Sequence, residues 1–327
     1  MRTLLLPIAA LLLAVGVTAS QQQRLNPVIE LLEQKKPVFG LYAPANRRPA
    51  GGAASETPAR TPVQLAQDAI AKSTSDFVFD ATMEGNFDRG YAPFVEFVKG
   101  MTEAGALQRT PHRRLHHPLM VKMHRIAPDP AIAAAHIAQQ LDLGVSGIVF
   151  VGVETPDEVK AGLAAMRFKS KGGTRPDNVG GAPAYWGMSE QEYRDKADLW
   201  PLNPNGELIN WTIVESKEGI ARIREIAAVP GIGALWPGAG TLRRVYSTTD
   251  ANGQRVFDEK AWETAIQQVL AACKEFKIAC GYPASENDIE LRMKQGFNVF
   301  VMSWGEAGFR AIDVGRRASG RAAANQP

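Results

Sequence analysis

Short apolar runs alternate with longer stretches of helical periodicity along most of the chain. The runs are rich in Val, Ile and Phe and are apolar throughout, which is typical of parallel strands that are covered on both faces. Eight such runs are predicted to be strands, at residues 38–42, 76–80, 119–123, 147–151, 209–214, 232–236, 278–282 and 298–303.

The stretches between these runs predict helices. Ile132, Ile137 and Leu141 lie at helical spacing after Pro128, a residue type suited to a first helical turn. Several of the stretches end in Gly or Pro, as helices commonly do. The predicted helices include a lead-in helix at 26–36 and helices at 128–143, 156–168, 216–228, 259–276 and 286–295.

Eight strands that are each followed by a helix make up a TIM (β/α)8 barrel, an α/β fold of about 250 residues. We therefore predict a single barrel domain over residues 21–327. A doubly wound open sheet is the alternative, but no Gly-rich phosphate loop follows the first predicted strand.

Two insertions account for the length beyond an ordinary barrel. Residues 44–62 are rich in Ala, Pro and Arg, whereas residues 184–207 are polar and aromatic and include Tyr185, Trp186 and Tyr193. The second insertion is expected either to cap the mouth of the barrel or to form a subunit contact. The sequence does not choose between these two positions.

The first 20 residues have the pattern of a secretory signal peptide. Arg2 precedes an apolar stretch at 4–17, and small residues follow before the polar Gln21. The apolar stretch is shorter than the roughly 20 residues that a membrane-spanning helix needs, although an uncleaved anchor is the alternative. We predict an exported, periplasmic protein that has no membrane partner after cleavage.

The composition excludes several classes of protein. The 327 residues carry 37 Lys and Arg against 34 Asp and Glu, and the basic residues are spread along the chain, so nucleic acid is not the expected partner. Two cysteines are too few for a disulfide-dense scaffold or an all-cysteine zinc site. Export would allow Cys273 and Cys280 to form a disulfide, but the favoured interpretation is two small buried side chains.

In a TIM barrel, the loops that leave the C-terminal ends of the strands carry the chemistry. Two such loops carry carboxylates, a third carries cations and a fourth has a Gly-rich turn. This set of groups suits a small anionic substrate, and it also suits a hard divalent cation with oxygen ligands. His112, His116 and His117 precede the third strand, at the opposite end, and are not expected to bind zinc. The candidate residues at the C-terminal ends are Asp80, Glu84, Lys122, His124, Arg125, Glu215, Gly238, Ala239 and Glu306.

Each candidate also has a purely structural interpretation. Glu215 opens a predicted helix, where a carboxylate is favoured by the helix dipole alone. Lys122 ends an apolar run, where an ammonium group is costly to bury without a partner. Gly238 can be an ordinary turn residue.

The sequence resembles the HpcH/HpaI aldolase and citrate lyase family from residue 38 to the final helix. The likeness rests on several moderately specific motifs. They are Ser-Asp-Phe-Val-Phe-Asp at 75–80, Pro-Leu-Met-Val-Lys at 118–122, Gln-Leu-Asp-Leu-Gly-Val-Ser-Gly at 140–147, Ile-Val-Glu-Ser at 213–216 and Trp-Pro-Gly-Ala at 236–239.

The resemblance implies a metal-dependent enzyme that makes or breaks carbon–carbon bonds through an enolate of a 2-oxo acid. One Mg²⁺, Mn²⁺ or Co²⁺ ion would be held by a Glu after the fifth strand, which Glu215 matches, and by an Asp after the sixth. That Asp is missing here at Gly240 or Thr241, so either Asp80, Glu84 or Glu306 would complete the metal sphere or the metal is lost. Lys122 stands where the family has an Arg that binds substrate.

The resemblance therefore implies a divergent lyase that acts on a 2-oxo or hydroxy acid, with Glu215 as metal ligand. Lys122, Arg125, Gly238 and Ala239 would bind the substrate, and Glu84 would act with Lys122 in catalysis, because the family's His after the second strand is absent. It also implies a homo-oligomer. The alternative hypothesis is a non-catalytic exported barrel that binds a small carboxylate, since a fold does not carry activity by itself.

Overall fold

Parallel strands close into a barrel in the computed structural model, which describes residues 23–46 and 58–321. Each barrel strand pairs with the next along the chain, and the first pairs with the last. The TIM-barrel prediction is confirmed, and every strand lies within two residues of its predicted run. The strands are β1 Val38–Tyr42, β2 Val78–Asp80, β3 Leu119–Lys122, β4 Gly147–Phe150, β5 Leu208–Val214, β6 Ala234–Pro237, β7 Ala279–Pro283 and β8 Val299–Met302.

Helices surround the barrel, and many of them begin at a side chain that accepts a backbone N–H, as Asn86 and Asp129 do. The predicted helix at 216–228 is divided at Arg222 into two short helices. The helices are α1 Pro27–Glu33, α2 Pro62–Ala71, α3 Phe87–Glu103, α4 Pro130–Leu141, α5 Pro156–Met166, α6 Ala182–Trp186, α7 Glu190–Lys196, α8 Lys217–Ala221, α9 Ile223–Ala227, α10 Ala239–Val245, α11 Glu259–Phe276, α12 Ile289–Gln295 and α13 Glu306–Ala318.

Short additional elements lie outside the barrel ring and were not predicted. Leu199–Trp200 pairs with the start of β5, a 3₁₀ turn covers Lys169–Lys171, and two small hairpins project from the loops. The hairpins pair Leu107–Gln108 with Arg114–Leu115 and Ser247–Thr249 with Arg255–Phe257.

The interior of the barrel is filled by aromatic side chains. The Trp211 ring packs against Phe77, Phe79 and Trp236, with ring centroids 5.0, 6.0 and 5.7 Å away. The lead-in helix α1 closes the N-terminal end of the barrel, since its apolar face belongs to the same buried cluster. The interior is therefore a packed core, and an open site can form only at the mouth.

The insertion at 184–207 does not cap the mouth. Trp186 Nε1 donates to the Gly144 carbonyl at 2.8 Å, and the Tyr193 hydroxyl donates to the Leu141 carbonyl at 3.1 Å. Leu141 and Gly144 precede β4, so the insertion packs at the N-terminal end of the barrel. The buried aromatic rings of the insertion pack against the N-terminal end of the barrel. The expectation that the insertion caps the mouth was therefore wrong.

Cys273 and Cys280 form a disulfide, so the favoured expectation of two free buried thiols was wrong. The cysteines lie at the end of α11 and in β7, and the turn between them brings their Cα atoms to 5.7 Å, within disulfide range. The sequence separation of Cys273 and Cys280 did not by itself determine the distance between their Cα atoms. A disulfide agrees with the predicted export, because oxidising compartments allow disulfides to persist.

This disulfide is expected to add about 2 kcal/mol to the free energy of unfolding, as chain entropy predicts for so short a loop. Urea unfolding should therefore occur at lower urea concentration when dithiothreitol is present. The control is the Cys273→Ala/Cys280→Ala double variant, whose unfolding should not respond to the reductant. An equal response from both proteins would contradict the expectation.

The signal peptide predicted at 1–20 lies outside the described residues, as does most of the insertion at 44–62. Export and oligomeric state stay predictions. Among the helices of residues 23–46 and 58–321, none combines the length and apolar character needed to cross a membrane.

Candidate active site

A cavity of about 200 Å³ opens at the C-terminal end of the barrel. It is smaller than the usual range of ligand pockets, which suits a substrate of only a few carbon atoms. The rings of Phe79 and Trp236, from the top of the interior stack, form its apolar floor. The cavity is lined by Tyr42, Phe79, Lys122, Ile213, Glu215, Trp236, Gly238, Ala239, Gly240, Thr241, Pro283 and Val301.

Lys122 and Glu84 form an ion pair beside this cavity. Lys122 Nζ donates to Glu84 Oε1 at 2.6 Å. The Lys122 side chain is 14% exposed and that of Glu84 is 35% exposed, so the ammonium is the more enclosed partner. The two residues predicted to act together in catalysis are thus in direct contact, although Lys122 ends β3 and Glu84 lies on the loop after β2.

Asp80 shapes the loop that carries Glu84. Its carboxylate accepts from the Thr82 backbone N–H at 2.9 Å and from the Thr82 hydroxyl at 2.6 Å. Burial raises the pKa of Asp80, and the Thr82 hydrogen bonds oppose that rise. Asp80 does not line the cavity. Its carboxylate holds the turn after β2 and so positions Glu84 against Lys122.

Glu215 lies over the Gly238 backbone at the rim of the cavity. A Cβ atom placed on Gly238 would lie 2.5 Å from Glu215 Cβ and 2.6 Å from Glu215 Oε2. Within the described part of the chain, the Glu215 carboxylate makes no hydrogen bond or ion pair. The carboxylate lines the cavity and is half-buried, so it is available to a ligand bound there.

Gly238 lies in the turn between β6 and α10, Ala239 begins α10, and both line the cavity. The Ala239 carbonyl accepts from Trp262 Nε1 at 2.9 Å, which anchors the turn to α11. The close approach of Glu215 explains why the turn has a glycine at position 238.

Tyr42 is a site residue that sequence reasoning missed. It ends β1, lines the cavity and packs edge-on against Phe79. Burial raises the pKa of Tyr42, and the carboxylates of Glu84 and Glu215 raise it further. Both carboxylates therefore act on the same hydroxyl. Tyr42 lies at the C-terminal end of β1, which is the position that predicted the other site residues. The sequence could therefore have predicted Tyr42 as well.

Arg125 does not line the cavity. It lies at the outer rim, where its guanidinium pairs with Glu154 at 3.0 Å. His124 is turned toward α4, where its Nε2 lies 2.6 Å from His136 Nδ1. Glu306 is exposed at the start of α13. The structure thus brings Lys122, Glu84, Glu215, Gly238 and Ala239 together and leaves the other candidates outside.

The donors at the mouth do not fit the metal site that the resemblance implies. Glu215 is present, but Gly240 and Thr241 replace the second carboxylate, and Glu84 is engaged by an ammonium group. Among residues 23–46 and 58–321, no group of three or more His, Cys, Asp or Glu side chains is placed to hold a metal ion. His117, which is buried, contacts the Lys72 carbonyl at 3.0 Å, as expected of a structural histidine.

Comparison with known proteins agrees with this architecture. The family model described as HpcH/HpaI aldolase/citrate lyase matches residues 104–311, well over half of the chain. The matched region contains Lys122 and Glu215 but not Tyr42 or Glu84. A hydroxypyruvate/pyruvate aldolase from Sagittula stellata is 29% identical over 109 residues, which are 33% of this chain and 40% of that protein.

Two solved structures share the fold. An HpcH/HpaI aldolase/citrate lyase family protein from Burkholderia cenocepacia J2315 has a TM-score of 0.61 at 20% identity, covering 85% of this chain and 92% of that one. The protein CitE from Mycobacterium tuberculosis, solved in complex with magnesium and acetate, has a TM-score of 0.50 at 15% identity, covering 89% and 94%.

The curated relatives are aldolases, but each is matched over only 40% to 61% of its own length. These partial matches do not carry an activity to this chain by themselves.

Proposed function

Because the chain belongs to the HpcH/HpaI aldolase/citrate lyase family, we propose that it is a carbon–carbon lyase acting on a small 2-oxo acid at the mouth of the barrel. One observation carries the proposal: an unpaired carboxylate, Glu215, and an enclosed ammonium, Lys122, line the same small cavity. The names of the curated relatives, which include pyruvate and 2-oxoglutarate-type aldolases, support the substrate class.

The cavity provides what cleavage beside a keto group requires. The electron pair released from the broken bond spreads onto the keto oxygen, and a preorganised cation beside that oxygen lowers the barrier. Lys122 supplies such a cation. Among the described residues no side chain pairs with Glu215, so its carboxylate is placed to accept or return the proton on the adjacent carbon.

A divalent ion at Glu215 would have to take most of its other ligands from water, and an ion held by one carboxylate binds weakly. The metal dependence that the resemblance implies therefore has little support in this donor set. We assign each step to side chains of the chain itself.

The proposal is tested by exchange of the methyl protons of pyruvate with deuterium, followed by proton NMR in D₂O. The wild-type protein is expected to catalyse exchange, and Glu215→Gln is expected to slow it about 100-fold or more, because an amide cannot accept the proton. Glu225→Gln, an exposed glutamate on α9, is the matched control and should exchange at the wild-type rate.

Exchange is measured both with EDTA and with added Mn²⁺. If the wild-type protein binds pyruvate but exchanges no protons in either condition, the lyase proposal fails. The non-catalytic carboxylate binder is then the correct interpretation.

A further inference from the structure

We propose that Lys122 acts as a nucleophile and forms an iminium with the keto carbon of the substrate, so that a covalent cation takes the place of a metal ion. This inference rests on the proposed lyase function. It concerns how the site stabilises the carbanion, which the comparisons do not address.

The first argument is electrostatic. A carbanion beside a carbonyl needs a positive charge that withdraws electrons. Of the two carboxylates at the mouth, Glu84 is ion-paired with Lys122, and no group of three or more His, Cys, Asp or Glu side chains among the described residues is placed to hold a divalent ion. Lys122 is the cation that the cavity contains. Whatever stabilises the carbanion must therefore be compatible with an ammonium group at this position.

The second argument is chemical. A guanidinium stays protonated and does not attack carbonyls, whereas a lysine amine that loses its proton is a nucleophile that forms Schiff bases. Lys122 is the last residue of β3, and its side chain is 14% exposed and lines the cavity that would hold the keto acid. The replacement of the family's Arg by Lys thus allows the side chain to form a Schiff base with a keto acid.

Glu84 can accept the proton that Lys122 must lose. Glu84 Oε1 lies 2.6 Å from Lys122 Nζ, so it can take the proton that the ammonium must lose before the amine attacks. The ion pair also offsets the cost of enclosing the Lys122 ammonium, which is 14% exposed, and keeps Glu84 within reach of its proton.

The proposed reaction is balanced. Lys122 transfers a proton to Glu84, and the neutral amine adds to the keto carbon to give a carbinolamine. Glu84 returns a proton to the carbinolamine hydroxyl, which leaves as water and gives the iminium. Glu215 then takes the proton of the hydroxyl on the departing fragment, the carbon–carbon bond breaks, and that fragment leaves as an aldehyde or ketone while the electron pair forms an enamine. Glu215 returns the proton to the enamine carbon, which restores the iminium. Addition of water finally releases the product and restores Lys122.

The test is reductive trapping. Protein dialysed against EDTA is incubated with pyruvate and sodium cyanoborohydride, which reduces an iminium faster than a free ketone. Mass spectrometry is expected to show one reduced pyruvate adduct per chain, located at Lys122 by peptide mapping. Lys122→Arg keeps the charge but cannot form the imine, so it should give no adduct. Lys260→Arg, an exposed lysine on α11, should be labelled like the wild type.

Glu84→Gln should lower the rate of adduct formation about 100-fold, because the amide cannot accept the lysine proton. Pyruvate exchange without an adduct, or normal exchange by Lys122→Arg, would overturn the iminium while leaving the lyase function intact. Absence of both exchange and adduct would overturn the lyase function as well.

Discussion

Gly238→Ala is expected to lower the exchange activity about 100-fold while leaving the protein folded. The new Cβ would lie 2.5 Å from Glu215 Cβ and 2.6 Å from Glu215 Oε2, so the glutamate must move. A displacement of about 1 Å in a catalytic group is enough for a loss of this size. Backbone strain does not contribute, because φ at Gly238 is −70°. The measurement is pyruvate exchange by NMR, together with a thermal unfolding curve.

Gly181→Ala is the matched control for this substitution. Gly181 has a φ of −85°, and a Cβ there would meet only the Asp142 carbonyl oxygen, at 3.8 Å. This variant should keep full activity. If Gly238→Ala also keeps full activity, Glu215 does not act from the position that the structure shows, and its role as the proton acceptor is wrong.

Gly240→Asp is expected to strengthen divalent-metal binding at the mouth of the barrel. Gly240 lines the cavity with Glu215, and nothing lies within 4 Å of a Cβ placed on it, so an aspartate fits. The variant then has a second carboxylate beside Glu215 that is not engaged by Lys122, which gives the pair that the family resemblance assigns to the metal. Mn²⁺ at 100 times its dissociation constant should stabilise this variant by about 2.7 kcal/mol.

The measurement is thermal unfolding over a Mn²⁺ titration, with Gly240→Asn as the control of equal size and no charge. The asparagine variant and the wild type should respond weakly. A wild-type response equal to that of Gly240→Asp would show that the natural donors already bind the ion tightly. The side chains at the mouth would then fit a divalent ion as they stand.

The barrel was predictable because its strands follow a simple physical rule. A strand buried on both faces must be apolar throughout, and the eight apolar runs coincide with the eight barrel strands. The short strands outside the ring were missed since two-residue pairings such as Leu107–Gln108 leave no periodic pattern. The aromatic residues of the 184–207 insertion were evident from the sequence. The surface on which they pack was not, because it is formed by residues around Leu141 and Gly144, about 40 to 50 positions earlier in the chain.

The candidate site was predictable to the extent that it follows strand ends. Lys122, Glu215, Gly238 and Ala239 were all found by this rule, and each lines the cavity. The same rule also selected Arg125, but a side chain that long can turn outward, and the structure pairs it with Glu154 at the rim.

The sequence by itself determined the (β/α)8 barrel and which strand ends hold charged residues, because burial imposes a local and readable pattern of apolar positions. Only the tertiary structure decided which charges meet. The contact between Glu84 and Lys122, the bare carboxylate of Glu215 over Gly238 and the pairing of Cys273 with Cys280 all depend on loop paths. Loop paths are set by packing between residues far apart in the chain, and no local pattern encodes them.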